Sequence, residues 1–418
     1  PTGIKHGTVT VHFMKQAIEV TTFRTESDYS DGRHPDKVEY AGHIEEDLSR
    51  RDFTMNAMAA SLKDGHIVDP YGGAEDIQKK TIRAVGQPVE RFMEDGLRPV
   101  RAVRFASQLG FKIEENTWAA ILREDILKKS AGISLERFRD EFCKILLSPV
   151  PSVGLKLLEV SGLLKIFVPV LLQGRGCVQS DERGFHNFDV LDHNFYACDG
   201  AVLRGEAASQ FCDASASGDQ SERLLILRLA ALFHDVAKPS CKRAEAGKIT
   251  FYNHEIAGAK MAGGILVRLK FSNAQIDAVC HLIKEHMFNY ESSWSDAAVR
   301  RFVQRVGAQN IDALFDLRLA DIYGMKRVEV RLHDTAVCGK LLELRERVDG
   351  VLSQKSAMGL KDLAVNGGDL IALGIPAGKK MGAILKELFE AVTDDPAMNN
   401  RDALLGLAKN LWKEKYQG

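Results

Sequence analysis

Two stretches of this 418-residue chain concentrate side chains able to do chemistry. In the first, Arg50-Arg51-Asp52-Phe53-Thr54-Met55-Asn56 is followed by Glu94-Asp95-Gly96-Leu97-Arg98 and then by Arg101 and Arg104. A carboxylate beside a guanidinium offers acceptor and donor groups to the edge of a nucleobase, and further arginines match phosphate oxygens with a planar fork. On one continuous helix Asp95 and Arg98 project side by side. Arg101 and Arg104 then extend the stripe, opposite an apolar face of Phe92, Gly96, Val100 and Val103. Pro99 inside such a helix costs a backbone hydrogen bond. Taken alone, the same residues read equally as a solvated, salt-bridged helix face.

The second stretch supplies His193, the adjacent pair His234-Asp235, His254, His286 and Asp321. Imidazole and carboxylate from separate helices build a borderline-hard divalent site with open positions for water and phosphate. Any single histidine is more often a satisfied or surface side chain. The adjacent pair is a sharper signal: it ends the apolar run Leu229-Ala230-Ala231-Leu232-Phe233 and is followed by Lys238-Pro239, where an unpartnered aspartate would be costly. His281 competes with His286 for one position.

Elements able to position these groups can be read from periodicity. Val9, Val11 and Phe13, then Ile18, Val20 and Thr22, alternate as half-buried strands do, and the polar stretch Thr25 to Lys37 reads as a loop. Residues 45–61 read as helical, and Asp69-Pro70-Tyr71-Gly72-Gly73 as a turn closing a strand-containing head. Beyond residue 75 the pattern is helical almost throughout, with segments near 116–127, 134–147, 153–164, 222–236, 255–270, 273–285, 296–305, 310–322, 328–347, 379–392 and 401–413. A Gly/Ala/Ser/Asp-rich insert lies between Leu203 and Glu222 and reads as a mobile loop. The expected fold class is an α+β head with a mixed sheet, followed by a predominantly α-helical body that includes a helical bundle.

Length allows two or three domains. No apolar run long enough to span a bilayer occurs, so no membrane partner is expected. Seven cysteines stand singly without CxxC pairs, which argues against a zinc ribbon or a disulfide framework and fits a reducing, cytoplasmic setting. With a net charge of −1, a nucleic acid would be held by local basic patches rather than a global field. Pro1 is not an initiator Met, so either processing removed something or the chain begins inside a longer reading frame.

Gly3-Ile4-Lys5-His6-Gly7-Thr8-Val9, Glu19-Val20-Thr21-Thr22-Phe23-Arg24, Arg50 to Ala57, Asp69 to Gly73, Glu94 to Arg98 and Arg137-Phe138-Arg139-Asp140-Glu141 fall in one ordered series. Together they closely resemble the class II tRNA nucleotidyltransferase/bacterial poly(A) polymerase family across residues 1 to about 165. The resemblance implies that Asp95 and Arg98 read the Watson–Crick edge of incoming CTP or ATP. It implies that Arg51, Arg101 and Arg104 hold nucleotide and phosphates, that Asp52 to Asn56 sense the ribose, and that Asp69 to Gly73 form a springy turn. Arg137 and Glu141 would form a supporting pair. Glu19 fits the family's third acidic position for Mg²⁺. The family's glycine-rich phosphate loop and Asp-x-Asp pair lie upstream of Gly3, so the chain as written is expected to bind nucleotide poorly and not to transfer it, although a full-length parent should. His34, in Asp31-Gly32-Arg33-His34-Pro35, stands where the family often has a second Arg.

Residues 185–325 resemble the HD phosphohydrolase superfamily, with His193, His234, Asp235 and Asp321 as its metal set and His254 and His286 as additional histidines. That resemblance implies a divalent transition metal such as Ni²⁺, Mn²⁺ or Co²⁺, and hydrolysis of 2′,3′-cyclic phosphates or phosphomonoesters. The implied organisation is a head with a partial nucleotidyltransferase fold over 1–75 and a helical neck, with nucleotide-recognition and RNA-binding elements, over 76–165. An HD domain follows over 166–330 and a helical tail over 331–418. The tail's Gly378-Lys379-Lys380 loop either receives an RNA backbone or merely connects helices. Three functions stay open: CCA addition to tRNA; poly(A), CC-only or A-only addition; or an HD phosphohydrolase with a non-catalytic RNA-binding head.

Overall fold

A computed structural model of the chain describes residues 8–14, 16–27, 37–179, 187–203, 218–245, 248–328, 335–353 and 359–416. The chain forms two compact units, Pro1–Lys284 with Tyr323–Arg327, and Glu285–Ile322 with Val328–Gly418. Their boundary falls inside the 166–330 segment delimited from the sequence.

The first unit opens with two antiparallel ribbons. β1 (Thr8–Phe13) pairs with β2 (Gln16–Thr21), Val9 opposite Val20 and Val11 opposite Ile18, and β3 (Arg24–Ser27) pairs with β4 (Lys37–Tyr40). The alternating apolar residues do share one face, but Val9, Val11, Phe13, Ile18 and Val20 are exposed rather than half-buried. A two-stranded ribbon brings no second layer of its own to cover them. The Gly3–Gly7 block and the Asp31–Pro35 loop lie outside the described residues.

Residues 45–61 are not one helix. α1 (Ile44–Ser49) stops, and Phe53 turns to extended backbone and bridges Ala84. Its ring is fully buried, edge-on to Phe105 with centroids 5.7 Å apart. That long-range packing overrides local helical preference. A short turn of 3₁₀ helix leads into β5 (Ala59–Ala60), paired with β6 (Ile67–Val68). The Asp69 carboxylate accepts the backbone N–H groups of Gly73 at 2.7 Å and Ala74 at 2.9 Å, which fixes the turn into α2 (Gly73–Gln78). β7 (Thr81–Ile82) pairs in parallel with β8 (Lys112–Ile113), so ribbons and a parallel pair together make the head.

Next come α3 (Pro88–Glu94), α4 (Arg98–Leu109), α5 (Glu115–Ile121), α6 (Glu124–Ala131), α7 (Leu135–Leu146), α8 (Pro151–Val160) and α9 (Leu163–Phe167). The expected face of Phe92, Gly96, Val100 and Val103 is divided between α3, a link and α4. Asp95 in that link has extended backbone (φ −139°, ψ 110°). The link passes so close to α6 that a Cβ on Gly96 would lie 2.6 Å from the Lys129 carbonyl oxygen. Pro99 lies in the first turn of α4, where no intrahelical partner awaits its missing N–H, so the expected cost disappears. The 116–127 and 153–164 segments are each split into two helices as well.

The unit is completed by α10 (Val190–Gly200), α11 (Gly218–Phe233), α12 (Lys238–Cys241), the ribbon of β9 (Arg243–Glu245) and β10 (Lys248–Thr250), α13 (His254–Arg268) and most of α14 (Asn273–Glu285). Residues 204–217 of the insert lie outside the described residues. The second unit carries α15 (Asp296–Val306), the greater part of α16 (Ile311–Lys326), α17 (Thr335–Ser353), α18 (Gly367–Ala372), α19 (Lys379–Asp394) and α20 (Arg401–Leu411). Leu370, Ile384, Leu388, Leu404 and Ala408 pack its tail around a core of their own. An α+β head followed by a predominantly helical body is therefore the observed fold class. Among the described residues no helix is long and apolar enough to cross a membrane.

Candidate functional site

Arg50, Arg51, Asp52, Asn56, Asp95, Arg98, Arg101 and Phe105 line a single hollow of about 480 Å³, within the usual size range of small-molecule sites. The end of α1 and the 3₁₀ turn supply one wall, the link and α4 the other. Asp52 organises the floor: its Oδ1 accepts the Asn56 amide at 3.0 Å and the Phe53 N–H at 2.9 Å, and its Oδ2 accepts Arg101 Nε at 2.7 Å. Asp47, buried beneath, receives Arg50 at 2.6 Å and Arg51 at 2.7 Å. Burial alone would raise its pKa, but the two guanidiniums outweigh it and hold the carboxyl below its usual range. Arg51 Nε is buried without a hydrogen-bond partner among the described residues.

Asp95 and Arg98 both face this hollow but are not helical neighbours. Asp95 is gripped by Arg137 through two bonds of 3.1 and 2.7 Å and accepts the Leu97 N–H at 3.0 Å. Arg98, only 8% exposed at the start of α4, donates to the Arg91 carbonyl at 2.7 Å, to Glu94 at 2.5 Å and to the Arg50 carbonyl at 3.0 Å. Its guanidinium keeps Nε–H and one Nη2–H uncommitted among the described residues, and the Asp95 carboxylate keeps some acceptor capacity. The edge presented to a ligand therefore still mixes donors with an acceptor.

Three expectations change. Arg137 and Glu141 do not pair with each other: Arg137 takes Asp95 in the link before α4, and Glu141 takes Arg104 on α4 at 2.8 Å and Lys144, one turn along its own helix, at 2.9 Å. Arg104, turned toward Glu141 and Gln108, is not part of the hollow's lining. Glu19 stands exposed on the polar face of its ribbon, opposite Thr10, and is also not among the lining residues. Arg50 and Phe105 are additions; adjacency to Arg51 and to the arginine stripe is the sequence signal that could have found them.

Glu141 is 3% exposed. Burial pushes its pKa up, but Lys144 and Arg104 pull it further down, leaving it below its ordinary 4.5. Its ionised form then adds stability above that pH, and the contribution is lost as pH falls through the folded-state value. Glu141→Gln is expected to destabilise the protein by about 2–3 kcal/mol at neutral pH, since Arg104 loses its charged partner. Denaturant unfolding at neutral pH and at about pH 3 checks this: the difference between variant and wild type shrinks in acid.

The second cluster lies deeper in the same unit. α11 ends at Phe233 and delivers His234 and Asp235 into a turn, α10 carries His193, and α13 begins with His254. All four are buried, His193 completely and Asp235 to 1%. His234 Nδ1 donates to the Ala231 carbonyl at 2.8 Å and His254 Nδ1 to the Phe251 carbonyl at 2.7 Å, so each ring turns its Nε2 inward, a lone pair whenever the ring is uncharged. His234 Nε2 lies 3.3 Å from Asp235 Oδ2 and 3.1 Å from His193 Nε2, and His254 Nε2 lies 3.3 Å from Asp235 Oδ1. Lone pairs facing a carboxylate at such distances need a shared proton or a cation. The donor set fits a borderline divalent ion, and His193, His234 and Asp235 converge closely enough to ligate one. Lys238, a neighbour the motif reading quoted without a role, touches Asp235 Oδ2 at 2.6 Å. His286 and Asp321 belong to the second unit; both are buried, and Asp321 accepts Arg318 at 2.7 Å.

Residues 1–83 match the poly A polymerase head domain, residues 110–173 the "Probable RNA and SrmB- binding site of polymerase A", and residues 249–408 the second domain of tRNA nucleotidyltransferases. The chain is 32% identical over 418 residues to the CCA-adding enzyme of Enterococcus faecalis, covering 100% of this chain and 83% of that protein. It is 33% identical over 365 residues to the A-adding tRNA nucleotidyltransferase of Deinococcus radiodurans, covering 85% and 77%. A stretch of 149 residues, 35% of this chain, is 54% identical to the CCA-adding enzyme of Lactobacillus helveticus, of which it spans 36%. The solved Bacillus stearothermophilus CCA-adding enzyme in complex with CTP superposes with a TM-score of 0.65 at 25% identity, covering 100% of this chain and 85% of that one. On these likenesses the chain belongs to the class II tRNA nucleotidyltransferase family of CCA-adding enzymes.

Proposed function

We propose that the full-length protein adds C and A residues to the 3′ end of tRNA from CTP and ATP, and that the His193/His234/Asp235/His254 cluster is the metal centre of a separate HD-type phosphohydrolase. The observation that carries the first reading is the one hollow shared by Asp95, Arg98, Arg51, Asp52, Asn56 and Arg101. Cytosine presents two acceptors and an amino donor, and adenine an acceptor beside an amino donor. A guanidinium with a carboxylate satisfies both patterns and mismatches uracil, whose N3–H meets a donor. In this reading the protein itself is the template, while Arg51 and Arg101 hold the phosphates and the Asp52–Asn56 turn reads the ribose. Relatives with the names CCA-adding enzyme and A-adding tRNA nucleotidyltransferase support RNA 3′ ends as the acceptor.

Nucleotidyl transfer in this family draws on Mg²⁺. None of the candidate metal groups among the described residues lies in the head, and Glu19 alone does not suit two hard cations. The phosphohydrolase reading rests on the imidazole and carboxylate donors already described, for which Ni²⁺, Mn²⁺ or Co²⁺ is the suited class. A cation there supplies Lewis acidity toward a phosphate ester. The substrates we infer are 2′,3′-cyclic phosphates and phosphomonoesters. Cysteines free among the described residues accord with a cytoplasmic enzyme.

The deciding experiment gives full-length protein a tRNA transcript lacking CCA, with CTP and ATP separately and together. Two C additions from CTP, followed by one A only when ATP is present, are expected. Addition of A alone, of C alone or of long A tracts replaces CCA addition with the A-only, CC-only or poly(A) activity. Absence of incorporation with every nucleotide overturns the transferase reading.

A further inference from the structure

We propose that Gln179 and Lys238 form an oxyanion subsite beside the histidine–aspartate cluster, built to hold phosphate oxygens and reject ligands that bring donors. The proposal rests on the metal-centre reading above and adds to it the group that the substrate's phosphate meets. Lys238 Nζ forms an ion pair with Asp235 Oδ2 at 2.6 Å and donates to Gln179 Oε1 at 2.7 Å. Contact with an ammonium settles which end of the amide faces Lys238, since the opposite placement would set NH₂ against NH₃⁺. The Gln179 NH₂ group must therefore point away from the lysine.

That NH₂ group is where the site is incomplete. Gln179 is 7% exposed, and its Nε2 is buried with no hydrogen-bond partner among the described residues. Native structures rarely leave a buried donor unmet, and an unmet one beside a catalytic cluster marks a place where something is accepted. A purely structural strut could show its spare hydrogens to water; this one cannot. Lys238 spends one N–H on Gln179 and faces the Asp235 carboxylate as an ion pair, so its ammonium keeps donor capacity for a further oxygen. The Gln179 amide NH₂ and the Lys238 ammonium, the latter in contact with Asp235, are two donors from neighbouring side chains. The anionic oxygens of a phosphate accept charge-assisted bonds from both, so they match; an ammonium or amide N–H, which only donates, gains neither bond.

The test uses Mn²⁺ and inorganic phosphate as probes on the full-length protein. Electron paramagnetic resonance measures Mn²⁺ binding, and calorimetry measures phosphate binding to the Mn²⁺-loaded form, for wild type, Gln179→Leu and Gln179→Glu. The expected result is Mn²⁺ affinity within about twofold of wild type in both variants, phosphate affinity about tenfold weaker in Gln179→Leu, and no measurable phosphate binding in Gln179→Glu. Phosphate held as tightly as in wild type by either Mn²⁺-loaded variant overturns the subsite while leaving the metal centre standing. Parallel loss of Mn²⁺ and phosphate in both variants also overturns it, since Gln179 would then only support the fold around Asp235. Wild type that binds no Mn²⁺ removes the metal-centre reading itself, and the subsite with it.

Discussion

Replacing Asp95 or Arg98 by alanine is expected to lower discrimination of CTP against UTP by about ten- to a hundredfold, while affinity for the triphosphate stays within about threefold. Each truncation removes one half of the mixed donor–acceptor edge that faces the hollow. The phosphate contacts assigned to Arg51 and Arg101 are untouched, because those arginines hang from Asp47 and Asp52 rather than from Asp95. The two variants should differ in stability. Asp95→Ala strands Arg137, which is partly solvated, whereas Arg98→Ala removes donors from the Glu94 carboxylate and the carbonyls of Arg91 and Arg50. The second loss is therefore expected to be the larger, about 2–3 kcal/mol in denaturant unfolding. Arg137→Ala serves as the control for position. It touches no base in this reading, yet it releases the carboxylate from its bidentate grip, so a smaller loss of discrimination is expected. Steady-state incorporation of each nucleotide separately measures all three. CTP/UTP discrimination unchanged in both Asp95→Ala and Arg98→Ala would remove the base-reading role from this edge.

Much of this site was legible from residue type and order, and what was not legible depended on long-range partners. The Arg50–Ala57 and Glu94–Arg98 blocks could be set beside each other from their resemblance alone, and the hollow they line brings them together. Helices with a clean apolar stripe and a cap, such as Ser134 before α7, stand close to where periodicity put them. The misreadings have one cause. The resemblance paired Arg137 with Glu141, which a spacing of four residues on one helix also allows; Arg137 instead takes a partner 42 residues away, and Glu141, besides Lys144 one turn along, takes one 37 residues away. Phe53 likewise leaves a helical pattern to bridge Ala84. Glycine at position 96 could have flagged the break between α3 and α4, but only the approach of the Lys129 carbonyl explains why a side chain there is excluded. Gln179 carried no motif at all. Its significance comes from an ammonium and a buried amide that meet across 59 residues of sequence.

His234→Ala is expected to abolish metal-dependent phosphate release from phosphomonoesters and 2′,3′-cyclic phosphates, with Mn²⁺ or Ni²⁺ affinity weakened by at least about a hundredfold. The ring does three things at once: its Nδ1 is pinned by Ala231, and its Nε2 approaches both His193 and Asp235. Removing it leaves Asp235 with Lys238 and two imidazoles, a set that balances charge but loses a neutral nitrogen donor. Because Lys238 still faces the buried carboxylate, the fold should survive, and thermal unfolding of the metal-free variant is expected close to that of wild type. Added metal should raise the midpoint of wild type and leave the variant's unchanged, since a ligand stabilises only the state that binds it. Nucleotide addition should be unaffected, because the lining of the Asp95 hollow includes none of these residues. Assays with Ni²⁺, Mn²⁺, Co²⁺ and Mg²⁺ separate the outcomes. Equal phosphate release by variant and wild type, or release independent of metal, would mean that three buried histidines gathered around one aspartate are held together by protons alone, and the hydrolytic reading would end there.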